Sequence, residues 1–118
     1  MFNFFKSTEN LERELRQWVI DDSVFRLGIE RNEAQEFIND LDIKEVLKKV
    51  AETAYYGTQT AKMMRALSGA TPSAREQLFF LKGIKLVQDF AKRKGWKVRV
   101  NGSPLMGSYQ CEISGSDL

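Results

Sequence analysis

The spacing of apolar residues changes once along the chain, at Gly95. Before this glycine, apolar side chains recur every three or four residues, the period of an α-helix that buries one face. After it, residues 96–100 and 109–113 alternate between apolar and polar side chains, which is typical of a half-buried β-strand. A length of 118 residues favours one domain. The sequence therefore predicts a mainly α (α+β) fold over residues 1–118, with about four helices and a C-terminal β-hairpin at about 95–114.

Polar capping residues indicate where the first two helices begin. The first helix begins at Ser7 or Thr8 and ends at about Ile20, because two aspartates and a serine then interrupt the apolar pattern. A shorter second helix begins at Asn32, with Gln35 in capping-box register. Its predicted apolar side consists of Phe37, Ile38 and Leu41.

The predicted third helix runs from Asp42 to Ser68 and carries a glycine in its apolar stripe. Gly57 costs roughly 1 kcal/mol against alanine in a helix interior. Its neighbours in the stripe, Ala54 and Ala61, are also small. We therefore expect another helix to cross closely there, with a flexible joint at Gly57 as the alternative.

The fourth helix has two possible beginnings. Thr71 can cap it with Pro72 at the first helical position, or Ser73 can cap it in a capping box with Glu76. In either case Gly95 ends it. Steps of about 100° per residue separate an apolar arc on this helix, suited to the core, from a cationic arc.

The cationic arc continues beyond the helix onto the first predicted strand. Between residues 82 and 99 the chain has seven basic residues and a single acid, Asp89. The basic residues are Lys82, Lys85, Lys92, Arg93, Lys94, Lys97 and Arg99. Cations at a helix end also complement the helix dipole, but a continuous cationic surface suits DNA, RNA or an acidic protein partner.

The charge of the chain is divided between its two halves. Residues 1–60 hold eight Lys or Arg against twelve Asp or Glu, a net of −4, and residues 61–118 hold ten against four, a net of +6. Surfaces of opposite charge can steer and align association between copies. The predicted apolar partner contacts are Leu78 and Leu81 beside the cations and Leu105 and Met106 at the hairpin tip.

The residue inventory points away from catalysis, metals and cofactors. The chain has no histidine and one cysteine, which excludes a Cys–His pair and zinc sites of the thiolate or imidazole type. Cys111 falls on the apolar side of a strand, where a buried structural thiol is expected. Glu33, Glu36 and Asp40 share a helical face, a spacing typical of an exposed acidic surface. We expect no catalytic residue, no metal and no cofactor.

Two functions follow from these patterns. The first is a non-enzymatic structural or assembly protein, a homo-oligomer or a small virion-type or complex-accessory component, that associates through acidic and basic surfaces. The second is an accessory protein that binds DNA or RNA without sequence preference. No stretch approaches eighteen apolar residues, so we expect no membrane span. The lone cysteine favours a reducing compartment, the cytoplasm, or a virion if the chain is viral.

Overall fold

A computed structural model describes residues 7–115 of the chain. Over this range the chain forms four α-helices and a two-stranded antiparallel hairpin, which confirms the predicted fold class. The helices are α1 (Thr8–Phe25), α2 (Arg31–Asp40), α3 (Ile43–Ser68) and α4 (Ala74–Lys94). The strands are β1 (Lys97–Ser103) and β2 (Ser108–Ser114), joined by a 3₁₀ turn at Pro104–Met106.

The core lies where α1, α3 and α4 meet. All three helices contribute to its largest fully buried side chains, which are Leu15, Val46, Leu47, Val50 and Phe90. Burying an apolar side chain of this size contributes about 1.5–3 kcal/mol. Helix α2 packs chiefly against α1, whereas the hairpin packs against α3 and α4.

Helix α1 is longer than its sequence pattern predicts. The predicted end at about Ile20 is wrong, because the helix continues through both aspartates to Phe25. The carboxylate of Asp22 is buried and accepts two hydrogen bonds from the Arg26 guanidinium, at 2.7 and 2.9 Å. A carboxylate held in this way no longer competes for the backbone N–H groups, so the helix is not interrupted.

Helix α2 begins one residue earlier than predicted. Its N-cap is Glu30, whose side chain makes no capping hydrogen bond, and the predicted capping box of Asn32 with Gln35 is therefore wrong. The start of the helix is held by a contact to α1 instead. Arg31 forms an ion pair with Asp21 at 3.3 Å, which links the first turn of α2 to α1 without capping its backbone N–H groups.

The boundaries of α3 and α4 are close to those predicted. The Asp42 side chain accepts a hydrogen bond from the backbone N–H two residues on, at 2.6 Å, and so caps α3. Ser73, rather than Thr71, caps α4 by accepting from the N–H three residues on, at 3.2 Å. Gly69 and Gly95 end the two helices with left-handed backbone, at φ of 73° and 72°.

Two glycines allow the helices to approach closely. A Cβ atom at Gly57 would lie 2.6 Å from the ring of Phe80 on α4. At Gly83 of α4, a Cβ atom would lie 2.8 Å from the Trp18 ring and 3.0 Å from the Cβ of Ala54. Helix α3 continues unbroken through Gly57. The close crossing predicted from the small-residue stripe is therefore confirmed, and the flexible joint is not needed.

The hairpin has longer strands and a shorter tip than predicted. The sequence pattern places the tip over residues 101–108, but pairing extends to Ser103 and Ser108. In the register of the strands, Val98 lies opposite Ile113 and Val100 lies opposite Cys111, so the predicted apolar face is confirmed.

The hairpin is attached to the helices by polar and aromatic contacts. A Glu52 carboxylate oxygen on α3 accepts a hydrogen bond from the Cys111 backbone N–H at 3.0 Å. The ring of Trp96 meets that of Phe90 edge to face, with centroids 5.7 Å apart. Because an isolated two-stranded hairpin is marginal in water, these contacts are needed for it to form.

Replacing Gly57 with leucine is expected to lower the free energy of unfolding by about 1–3 kcal/mol, because the new side chain would overlap the Phe80 ring. Urea unfolding of the purified protein measures this loss. In a Phe80→Ala background, the same replacement should cost much less, since the ring is gone. An unchanged unfolding midpoint for Gly57→Leu alone would contradict the close crossing.

Candidate binding surfaces

The seven cations predicted to bind a partner are all exposed, and together they form the basic surface. Lys82, Lys85, Lys92 and Arg93 lie along the outer side of α4, and Lys94 is its last residue. Lys97 and Arg99 lie on β1. This arrangement follows from the amphipathic pattern of α4, whose apolar arc is used against α1 and α3 and whose opposite arc is therefore left to solvent.

The end of α4 lies next to β1. Lys92 lines a small cavity of about 280 Å³ together with Trp96 and Val98, so this edge of α4 borders the strand. Val98 is partly buried against the core, and its neighbours Lys97 and Arg99 therefore lie on the outer face of the strand. Because Lys92 borders the opposite face of β1, one continuous cationic surface across the helix end stays a prediction.

Some of the cations have local partners. The Lys85 ammonium lies 3.3 Å from a carboxylate oxygen of Asp89, and the Lys94 ammonium lies 5.6 Å from the centroid of the Trp96 ring. Arg99 stands opposite Glu112 in the strand register. Exposed ion pairs of this kind contribute little to stability, so these charges can exchange their partners for a ligand at small cost.

Four apolar side chains predicted as partner contacts lie exposed, two on α4 near the cations and two at the hairpin tip. Leu78 and Leu81 on α4 are 66% and 51% exposed, and Leu105 and Met106 at the hairpin tip are 85% and 76% exposed. All four were predicted as partner contacts, and all four are accessible for such a role. Single exposed apolar residues are common, but clustered ones mark interaction sites.

The carboxylates of α2 form an exposed acidic face. Glu33, Glu36 and Asp40 are exposed, as expected from their spacing. Within residues 7–115, no group of three or more His, Cys, Asp or Glu side chains is placed so that it could hold a metal ion. Phe37 lies at the edge of this face, next to the carboxylates, and is 60% exposed. The prediction that Phe37 belongs to the buried side of α2 is wrong, since Ala34 and Ile38 fill that side.

A groove of about 530 Å³ runs beside the C-terminal half of α3, and the sequence patterns did not predict it. Helix α4, the base of the hairpin tip and the end of α1 complete its walls. The groove is lined by apolar or aromatic side chains, which include Tyr56, Met64, Phe80, Leu81 and Tyr109. Its cationic lining residues are Arg26, Lys62 and Arg65. Gly57 and Ala61 also line the groove. Because side chains this short leave space beside a helix, these two residues are the sequence feature from which the groove could have been predicted.

Polar groups along the groove are incompletely paired. The hydroxyl oxygens of Thr58 and Thr60 are buried and have no hydrogen-bond partner within residues 7–115. Arg65 donates to the side-chain oxygen of Gln77 at 3.3 Å, a neutral partner. The groove is therefore a region in which the single chain leaves polar contacts unmade.

Cys111 is the buried thiol that its strand position predicted. Burial raises the pKa of this thiol to about 11, and the nearby carboxylate of Glu52 acts in the same direction. Because the thiolate is the reactive form of cysteine, Cys111 is chemically quiet near neutral pH. Its surroundings are those of a structural residue.

The chain matches no protein-family model, no curated protein and no solved structure. Of the helices α1 to α4, none is both long enough and apolar enough to cross a membrane. The basic surface, the exposed apolar side chains and the groove are therefore the features from which a function is inferred.

The raised pKa of Cys111 predicts slow alkylation of the native protein at pH 8, with a rate that still increases as the pH approaches about 11. In urea, the same thiol should titrate near its ordinary value of about 8.5. Iodoacetamide labelling followed by mass spectrometry measures both rates. Native and unfolded rates that agree at pH 8 would contradict the prediction.

Proposed function

We propose that this protein is a non-enzymatic assembly component that docks on protein surfaces, including further copies of itself, through the basic surface and its apolar neighbours. The observation that carries the proposal is the exposure of Leu78 and Leu81 beside the cations of α4. A surface that meets only solvent or a phosphate backbone gains nothing from exposed leucines. A protein interface does, because apolar contacts at its centre supply affinity and the charged rim supplies orientation.

The separation of charge supports association between copies. The acidic face lies on α2, which packs chiefly against α1, and the basic surface lies on α4 and β1. Two different surfaces of the same chain that attract each other form a heterologous contact, which closes into a ring or extends as a filament. This behaviour suits a component of a virion or of a larger complex, in the cytoplasm or in a virus particle.

Oligomers are expected at low salt, and the double replacement Leu105→Ser/Met106→Ser should weaken them without unfolding the monomer. Both side chains are exposed, so the core is unaffected while apolar contact area is lost. Sedimentation over a range of protein and salt concentrations measures the change. A wild-type chain that stays monomeric under all these conditions would contradict self-association.

A second candidate function is binding of DNA or RNA without sequence preference. It is favoured by the exposure of all seven cations of the basic surface, because a phosphate backbone binds through accessible cations. The helices and hairpin carry no recognised base-reading motif, so the contacts would go to phosphate groups.

If nucleic acid binds, its affinity should fall steeply with salt concentration. Lys92→Gln and Arg93→Gln should each reduce the slope of log affinity against log salt by about one. Lys44→Gln in the first turn of α3, outside both the basic surface and the groove, is the matched control and should leave the slope unchanged. Titration of labelled single- and double-stranded DNA and RNA decides the question, and absence of binding at low salt removes this candidate.

A further inference from the structure

We propose that the acidic face of α2, with Phe37 at its edge, docks in the groove beside α3 of a second copy of the chain. The inference rests on the assembly function proposed above, but it places the contact of the acidic face in the groove, which adjoins the basic surface at Leu81, rather than on the basic surface itself. One copy supplies an aromatic side chain with carboxylates along one side, and the other supplies a groove with aromatic walls and cations in its lining.

The groove is suited to an aromatic side chain. Its walls include the rings of Tyr56, Phe80 and Tyr109, together with Met64 and Leu81. Its volume of about 530 Å³ exceeds what one side chain needs and lies in the range of sites that enclose small ligands. Apolar grooves of this kind receive one face of an amphipathic helix from a partner.

Helix α2 presents the complementary face. At about 100° per residue, Glu33, Glu36 and Asp40 lie within roughly a third of a turn on one side of Phe37. The buried residues Ala34 and Ile38 lie on its other side, against α1. The Lys49 ammonium lies 5.9 Å from the Phe37 ring centroid, yet the ring remains 60% exposed. Phe37 is therefore available as an anchor.

The charges of the two surfaces are opposite in sign. Lys62 and Arg65 at the groove form no ion pair with a carboxylate in the described part of the chain. The carboxylates of Glu33, Glu36 and Asp40 likewise form no ion pair within residues 7–115. Glu52 and Glu76 also line the groove, so its three cations, Arg26, Lys62 and Arg65, outnumber its carboxylates by one. A second copy brings the unpaired charges together.

The hairpin tip extends the same contact. Gly107 and Ser108 line the groove, so Leu105 and Met106 lie at its edge. A helix seated in the groove would lie beside these two side chains. The same contact would therefore cover Leu105, Met106 and Phe37, which are all exposed in the single chain.

The test uses two variants that each damage one surface and a control matched in residue type. Phe37→Ser removes the anchor, and Met64→Glu places a negative charge in the groove, where it repels the acidic face. Phe25→Ser removes a phenylalanine that is more exposed than Phe37 but belongs neither to α2 nor to the groove. Circular dichroism checks that each variant is folded. We expect all three to fold, because the replaced side chains are exposed.

Sedimentation of wild-type and variant chains then measures self-association. We expect Phe37→Ser and Met64→Glu each to raise the dissociation constant at least about tenfold, as removal of an interface anchor does. Phe25→Ser should leave it unchanged. An equimolar mixture of the two damaged chains should recover a one-to-one complex, because the intact α2 of one variant can occupy the intact groove of the other.

The outcomes separate this inference from the assembly function itself. If the wild-type chain assembles but the two variants assemble equally well, or the mixture shows no recovery, the docking contact is wrong and the assembly function stands. If Phe25→Ser weakens association as strongly as Phe37→Ser, the specific role of Phe37 is wrong. A wild-type chain that is monomeric under all conditions overturns this inference and the self-association in the proposed function, while docking on a different protein stands.

Discussion

The architecture depends on the close crossing of α1, α3 and α4, which two missing Cβ atoms make possible. The Phe80 ring occupies the space beside Gly57, and the Trp18 indole occupies the space beside Gly83. The indole also stacks on the Phe79 ring, with centroids 4.4 Å apart, and donates its N–H to the Phe79 carbonyl at 2.9 Å. The Trp18 indole is thus buried with its N–H hydrogen-bonded. The free energy gained from this packing can offset the helix propensity lost at Gly57 and Gly83.

This crossing also determines what remains at the surface. Because the apolar arc of α4 is used against two helices, its cations and Leu78 are directed to solvent. The short side chains that permit the crossing continue along α3 to Ala61, which lines the groove together with Gly57. The core and the candidate binding surfaces therefore have one origin, the placement of small residues on a long helix.

The sequence predicts what local interactions determine. The caps at Asp42 and Ser73, the glycine stops and the alternating strands are read directly from neighbouring residues, and the structure has them. Prediction from the sequence fails where a tertiary contact decides the structure instead of a local one. Asp22 continues α1 because Arg26 holds its carboxylate. The environment of Phe37 and the existence of the groove depend on how helices are placed relative to one another, which periodicity along a single helix does not record.

The attachment of the hairpin has a consequence for the groove. The Trp96 ring packs against Phe90 on one side, and a Cβ at Gly115 would lie 2.5 Å from it, so the end of β2 closes over the same indole. The hairpin and α4 are thus joined through one buried side chain. Because Gly107, Ser108 and Tyr109 of the hairpin also line the groove, a chain in which the hairpin is detached from the helices lacks one wall of it.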